Sequence, residues 1–540
     1  MAEISVSNLT FCYEGSSDNI FEHVSFSIDT NWKLGFIGRN GKGKTTFLKL
    51  LQGKYEYQGT IDTKMVFDYF PYSITEKQMK LCFADLLEEI RPDYELWRVI
   101  CELEKLHLET ELLYRPFLTL SHGERTKVML AVLFSGEHYF LLIDEPTNHL
   151  EQESREVVKQ YLKQKKGFIL VSHDRELLDA CVDHVLVLNR HSIEVQNGNF
   201  SSWWLNKERK DIFNQKENEK HQKEIRQLKK AADRAERWAE KNEGTKIGFD
   251  PVKEHDRGNG TRPYIGAKTK KMQSRVTQMQ KRINREIEQK EGLLQDIEKV
   301  VDLKMMPQKH YKKVLILAKE YGILYKNKKE DNKVLQDFNF ELSQGERVFL
   351  QGRNGCGKSS FIKAVLAHIM QTEEKQCKEK QFLAGDRILY EETTLQGIEK
   401  KSEGIVIKES GTLETAKGLM ISYVNQETSF LCGSLTEFCK KQTLEESLLK
   451  AILRQLDFDR EQFAKNMEEY SEGQKKKVLL AASLATKAHL YLWDEPLNYI
   501  DVFSRMQIEQ LILRYQPTML IVEHDRRFQE TIATQVVNLS

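Results

Sequence analysis

Short apolar runs, most of them followed directly by glycine or an acidic residue, recur along the chain in two sets. The first set holds Lys33–Ile37, 140–143 and Phe168–Val171, and the second holds Arg347–Gln351, 490–493 and Met519–Val522. Brief runs bounded by turn signals read as strands. Residues 46–51 and 360–367, just after the first run of each set, read as helices, so each set opens on a strand–loop–helix unit. Between the sets the period changes. Ile225, Leu228, Ala232, Ala235 and Ala239 follow a 3-4-3-4 spacing, Val276, Met279, Ile283 and Ile287 a similar 3-4-4 spacing, and Leu294 and Ile297 extend it. Such narrow stripes predict a long antiparallel coiled-coil hairpin of two helices. Pro251, Gly258, Gly260, Pro263 and Gly266 stop helices between positions 244 and 266, which places the tip there. The expected organisation is an α/β domain over 1–204, a helical hairpin over 205–314 and a second α/β domain over 315–540. From Lys358 to Gly411 is 53 positions, against 15 from Lys44 to Gly59, so an insertion is expected near 370–408.

Composition narrows the function. A chain of 540 residues with 40% hydrophobic content can bury several cores. Its net charge of +1 gives no global affinity for polyanions, so any basic surface is local. One such bias lies between Asn206 and Val300, where 25 Lys and Arg stand against 17 Asp and Glu. The tip adds Lys246, Phe249, Lys253, Arg257, Arg262 and Tyr264, basic and aromatic residues suited to phosphate contact and base stacking. A soluble loop without a partner is the plainer reading of the same residues. Eight cysteines include no Cys-x2-Cys pair, which argues for reduced thiols rather than zinc or disulfides. No stretch approaches the roughly 20 apolar residues of a membrane helix, and Met1-Ala2-Glu3-Ile4-Ser5 has no signal-peptide layout. A cytoplasmic protein with no membrane partner is expected.

The chemistry is carried by a motif that occurs twice. Gly38, Asn40, Gly41, Gly43, Lys44, Thr45 and Thr46 make one Gly-x4-Gly-Lys-Thr phosphate loop. Gly352, Asn354, Gly355, Gly357, Lys358, Ser359 and Ser360 make the other, with Cys356 inside it. Glycines let backbone N–H groups wrap phosphates, the lysine reaches the terminal oxygens and the hydroxyl holds Mg²⁺. The acidic strand ends follow, Asp144-Glu145 and Asp494-Glu495. The aspartates suit Mg²⁺ and the glutamates suit an attacking water. His173 and His524, each after a further apolar run, suit sensing of the γ-phosphate. Tyr13 precedes Gly38 by 25 positions and is a candidate for adenine stacking, while Tyr325 is displaced by two positions.

Between loop and acidic strand stand Leu120-Ser121-His122-Gly123-Glu124 and Tyr470-Ser471-Glu472-Gly473-Gln474. These resemble the Leu-Ser-Gly-Gly-Gln signature of ATP-binding cassette proteins. In that superfamily the signature serves the nucleotide of the opposite cassette. The resemblance therefore implies two sites per chain, formed by cassette pairing within a monomer, each taking one ATP and one Mg²⁺. Site one joins Lys44, Thr45, Asp144 and Glu145 to Ser471 and Gly473, and site two joins Lys358, Ser359, Asp494 and Glu495 to Ser121 and Gly123. The glutamine that assists ATP and Mg²⁺ in the superfamily is Gln426 in the second cassette, whereas Tyr72 takes its place in the first. His122 and Glu472 replace signature glycines, and Glu151 replaces an aspartate that Asp501 keeps.

Twin cassettes joined by a basic helical hairpin resemble the ABC-F proteins of translation. The phrases 31–41 and 167–175 look like the Lsa-type antibiotic-resistance branch. That resemblance implies an ATPase that binds the tRNA exit site of the bacterial 70S ribosome. It would contact peptidyl-site tRNA and 23S rRNA near the peptidyl transferase centre through the hairpin tip. There it would dislodge lincosamides, pleuromutilins or streptogramin A. A housekeeping translation factor acting on stalled or vacant ribosomes shares every one of these catalytic residues and stands as the alternative.

Overall fold

The computed structural model describes residues 3–13, 19–92, 94–136, 139–147, 150–189, 192–244, 305–326, 331–353, 355–379, 406–456, 458 and 460–539, with a few helical positions between 270 and 286. The chain divides into two compact units, one of Met1–Trp203 with Val301–Ser540 and one of Trp204–Val300.

The larger unit holds both α/β cassettes. In the first, β1 (Glu3–Phe11), β2 (Phe21–Asp29) and β4 (Gln58–Asp62) form an antiparallel sheet in the order β2-β1-β4. A six-stranded sheet follows. It contains β3 (Lys33–Ile37), β5 (Val66–Phe70), β6 (Tyr139–Asp144), β7 (Phe168–Val171), β8 (His184–Leu188) and β9 (Ile193–Asn197), in the order β5-β6-β7-β3-β8-β9. All its pairs are parallel except β8 with β9. The second cassette repeats this plan. Its antiparallel sheet is β11-β10-β13, made from β10 (Val314–Lys326), β11 (Asp331–Ser343) and β13 (Val406–Thr415). Its parallel sheet is β14-β15-β16-β12-β17, with β12 (Arg347–Gln351), β14 (Ile421–Val424), β15 (Leu490–Asp494), β16 (Met519–Val522) and β17 (Gln535–Asn538). A parallel strand is covered on both faces, so it reads as a continuous apolar run rather than an alternation. Every residue of Phe168–Val171, Leu490–Asp494 and Met519–Val522 is buried.

The helix after the first phosphate loop is Lys44–Leu51, but its counterpart runs from Lys358 to Glu379. The start of the expected insertion is thus a continuation of that helix, its end joins β13, and 380–405 lie outside the described residues. The second folded body also begins before the expected boundary at 315. Met305 is in its core and Gln308 N–H donates to Ala488 O at 2.8 Å. No helix among the described residues is long and apolar enough to cross a membrane.

In the smaller unit, the helix Phe200–Gly244 carries the first predicted stripe. Ile225 packs against Ile283 with Leu228 beside them, which is the side-to-side contact the two stripes predict. The tip with Lys246, Phe249, Lys253, Arg257, Arg262 and Tyr264 lies outside the described residues, as do Val276, Ile287, Leu294 and Ile297.

Candidate active site

Each phosphate loop joins the end of a parallel strand to a helix N-terminus, where unpaired N–H groups and the helix dipole favour an anion. The residue before each lysine must be glycine. Gly43 has φ +106 and an added Cβ would meet Ile20 Cγ2 at 2.5 Å, while Gly357 has φ +96 with Val334 Cγ1 at 2.8 Å. The Lys44 ammonium donates to Gly38 O at 2.7 Å and to Asn40 Oδ1 at 3.2 Å. Lys358 donates to Gly352 O and Arg353 O at 2.8 and 2.9 Å. Asn354 lies outside the described residues.

The next hydroxyl in each loop reaches the neighbouring aspartate. Thr45 Oγ1 donates to Asp144 Oδ2 at 2.9 Å and Ser359 Oγ to Asp494 Oδ1 at 3.1 Å. Burial raises both aspartate pKa values, Asp494 to about 6. The other Asp494 oxygen, Oδ2, is buried without a hydrogen-bond partner among the described residues. A hydroxyl beside a buried carboxylate with a spare oxygen is a hard-oxygen donor set that fits Mg²⁺.

Glu145 and Glu495 share an uncommon backbone, φ +50 and +47, at the turn after their strands. Non-glycine residues rarely hold such angles, and where they do the cost often marks a functional site. Each is pinned by its own N–H, which donates at 2.9 Å to Val171 O or Val522 O. The two histidines stand beside them, His173 Nε2 3.4 Å from Glu145 Oε1 and His524 Nε2 3.7 Å from Glu495 Oε1.

The carboxylates are otherwise unlike. Glu495 Oε2 accepts from Gln426 Nε2 at 2.9 Å and from Asn498 Nδ2 at 2.8 Å. Burial opposes ionisation there, yet His524, Lys476 and Asn498 hold its pKa below the ordinary range. Glu145 accepts only the His173 N–H, at 3.3 Å among the described residues, and its Oε1 is unpartnered. Burial, then the charge of Asp144, pushes its pKa to about 8. Burial, with Lys44 and Arg505 near, also drives His173 well below its usual pKa.

Strand register explains part of the difference. Phe70 pairs with Ile143 and Val424 with Trp493, each one residue before the aspartate. Tyr72 and Gln426 therefore occupy the same place, two residues beyond their strands. Gln426 reaches the glutamate, whereas the Tyr72 hydroxyl donates to Asp68 Oδ2 at 2.8 Å, an oxygen that Arg91 also pairs with. Instead Tyr69 fills in, donating to Asp144 Oδ2 at 3.1 Å. Register also aligns the tyrosines at the other end of the site. Val6 pairs with Phe26 and Ile61, and Ala318 with Phe340 and Leu413, which puts Tyr13 and Tyr325 at one backbone position. The two extra residues fall in sequence between Ile323 and Leu335, which pair as Phe11 and Phe21 do. The Tyr13 hydroxyl is 2.7 Å from Thr46 Oγ1, with Phe11 edge-on to its ring.

Ser121 and Ser471 are both N-caps, each in a reciprocal capping box with Glu124 or Gln474. A cavity of about 490 Å³ brings the first loop to the second signature, with Lys44, Thr45, Glu145 and His173 on one wall and Ser471 and Gly473 on the other. Its volume falls in the range of small-ligand sites. The residues expected at site one thus line one cavity. Its sides are tied by Asn40 Nδ2, which donates to Tyr499 O at 2.7 Å. For site two, the second loop meets the first cassette through Gln351 Nε2 to Gln152 Oε1 at 2.6 Å and Arg353 to Glu153 at 3.5 Å.

Several residues at these sites were not singled out from sequence. Asn498 serves Glu495, Tyr499 meets the opposite loop, and Phe458 and Lys477 line the cavity. Lys477 pairs at 3.4 Å with fully buried Asp501, which caps the next helix and is held at a pKa of about 2 despite burial. Glu151, at the matching cap, makes no side-chain capping bond. The repeat offers the signal for these residues, because Asn498 and Lys477 recur as Asn148 and Lys127 at the same offset from the signature serine.

The fold and the paired sites define a P-loop ATPase with two cassettes in one chain. The profile of the family described as ABC transporter matches residues 21–148 and 335–498. Over 96% of this chain and 83% of its own length, a ribosome protection protein of Bacillus subtilis, VmlR, is 27% identical. An erythromycin resistance ATP-binding protein of Staphylococcus epidermidis, MsrA, is 24% identical over 93% of this chain and 90% of its own. Among solved structures, an archaeal ribosome recycling factor, aABCE1, in complex with the stalk protein aP1 superposes with a TM-score of 0.55 at 17% identity, covering 98% of this chain and 87% of that one. At that identity the likeness concerns the fold. This chain belongs to the ABC transporter family and, within it, to the ABC-F proteins, and it is an ATPase.

Proposed function

We propose that this chain is an ATP-driven ribosome protection protein. Its support is the near full-length similarity to VmlR and MsrA, together with a cavity whose two walls come from opposite cassettes. A nucleotide held between Lys44 and Ser471 bridges the cassettes, so binding favours pairing and hydrolysis relieves it, which is the logic of a switch.

In this reading, the loop N–H groups and Lys44 or Lys358 hold the phosphates, and Tyr13 flanks the base. Thr45 and Asp144 hold one Mg²⁺, and Ser359, Asp494 and Gln426 the other. The metal supplies neutralisation of phosphate charge. Glu145 and Glu495 orient water and accept its proton, with His173 and His524 beside them. Gln426→Ala leaves Glu495 with one fewer amide donor. Turnover should fall about 10-fold, the scale of losing a supporting contact, and by more than ATP affinity falls. Steady-state phosphate release beside nucleotide titration checks this, and equal losses in both would remove Gln426 from the positioning role.

The finer reading places the paired form in the tRNA exit site of the 70S ribosome, the hairpin against peptidyl-site tRNA, and the tip near the peptidyl transferase centre. Lys246, Phe249, Lys253, Arg257, Arg262 and Tyr264 are the candidate contacts, and lincosamides, pleuromutilins and streptogramin A are the drugs displaced. The test is cell-free bacterial translation stalled by each drug, with and without the purified chain. ATP-dependent rescue is expected. Failure with all three classes overturns the protection reading and favours a translation factor for stalled or vacant ribosomes.

A further inference from the structure

A basic platform on the second cassette has no part in the ATP sites. It is built on the segment 305–313, which is exposed on one side and locked on the other. Met305 is buried in the cassette core, Pro307 bridges to Ala488, and Gln344 N–H donates to Lys313 O at 2.7 Å. The lock is His310. It is buried, its Nδ1 accepts from Lys312 N–H at 3.1 Å, and its Nε2 donates to Lys417 O at 3.1 Å. The His489 ring lies edge-on to it at 5.1 Å.

Around this anchor the outward side chains are Lys309, Tyr311, Lys312 and Lys313, joined by Lys417 from the adjoining turn and Lys487 beside Ala488. None of the five lysines has an ion-pair partner among the described residues. Glu346, on the turn next to Lys313, is engaged by Ser343 N–H at 2.7 Å. Tyr311 is 76% exposed, and Met306 and Met420 are exposed as well. Five ammonium groups with no ion pair among the described residues, set around an exposed ring, stand out in a chain of net charge +1. The segment is already ordered by His310, so a partner would not bear the entropy of fixing a loop. Lysines neutralise phosphodiesters with release of counterions, and a flat exposed ring offers a stacking face for a base.

The geometry points to this platform as a docking surface for the phosphodiester backbone of RNA, with Tyr311 stacking on an unpaired base. It deepens the reading under Proposed function, on which it rests, by naming ribosomal RNA as a partner of the second cassette. The lysines give affinity without sequence preference, and Tyr311 adds a preference for a single-stranded element.

The test compares the full-length protein with K309E/K312E/K313E and with Y311A. Co-sedimentation with 70S ribosomes and ATP is measured across a potassium chloride series. ATPase in the absence of ribosomes should be unchanged in both variants, which checks folding. The triple variant should bind at least about 10-fold more weakly, with a log-affinity against log-salt slope shallower by about two to three. Y311A should bind several-fold more weakly with an unchanged slope. Wild-type binding that the triple variant reproduces at every salt concentration overturns the platform. If the wild type itself fails to pellet with ribosomes, the ribosome reading fails instead. The platform is then judged on a fluorescent single-stranded RNA, where lysine-dependent binding supports it and equal binding by the triple variant sinks it. A photocrosslinker at position 311 should yield RNase-sensitive adducts, and adducts to protein alone would also overturn the proposal.

Discussion

Glu145→Gln combined with Glu495→Gln should reduce ATP turnover by about 10²–10⁴-fold, the usual contribution of a general base, while leaving nucleotide binding intact. Glutamine keeps the shape and the carbonyl oxygen that can still accept from Asn498 and Gln426, but it cannot take a proton from water. The protein should then accumulate in the nucleotide-bound, cassette-paired form and pellet with ribosomes. The single variants should be unequal. Glu495 is ionised and braced by two amides, whereas Glu145 has one oxygen with no hydrogen bond among the described residues and a pKa of about 8, so Glu495→Gln should cost more. The sign of the pH effect follows. A carboxyl raised to about 8 gains its basic form as pH rises through that value. The residual turnover of Glu495→Gln should therefore climb from about pH 7 to about pH 9, by more than an ordinary carboxylate titrating near 4 would allow. Phosphate release from all three variants, with ribosome pelleting of the double variant, decides it. Near wild-type turnover by the double variant would remove both glutamates from the chemistry.

The ATP sites were legible because backbone requirements leave traces in residue identity. Gly43 and Gly357 stand where no side chain fits, and the acids end runs that only a doubly covered strand makes fully apolar. Counting also carried Tyr72 to the place of Gln426, and strand register agrees. It erred with Tyr325, whose two-position displacement vanishes once β10 is paired, since extra length in a turn is invisible to a count made from Gly352. What the sequence hid is mostly three-dimensional partnership. Nothing local marks Tyr69 as the donor to Asp144, or His310 as the anchor that turns four neighbours outward. The expected boundary at 315 left 305–313 with the hairpin, whereas the hydrogen bond from Gln308 N–H to Ala488 O places that segment on the second cassette.

A second large effect is expected at the seam between the cassettes, away from the loops. Arg175 and Glu509 are each only 7% exposed and lie on opposite cassettes. Arg175 Nη1 donates to Glu509 Oε2 at 3.0 Å, and its Nη2 makes the second arm of a bidentate pair. The pair ties the helix that follows His173 to the helix capped by Asp501. Burial raises the Glu509 pKa even with the guanidinium present, so desolvation is a large part of the balance. Arg175→Met leaves that carboxylate buried and uncompensated, and removing one partner of such a pair costs about 3–5 kcal/mol. Thermal unfolding should shift down, and ATP-driven pairing should weaken with it. Arg175→Met with Glu509→Met removes both charges at similar volume, which is often neutral or even stabilising. The double variant should then recover most of the lost stability. The cycle separates two roles for the seam. Recovery of stability with recovery of turnover makes the pair a packing element. Recovery of stability without turnover makes its charge part of how the His173 helix reads the opposite cassette. A single variant as stable as the wild type would show that the two charges are not buried against each other in solution.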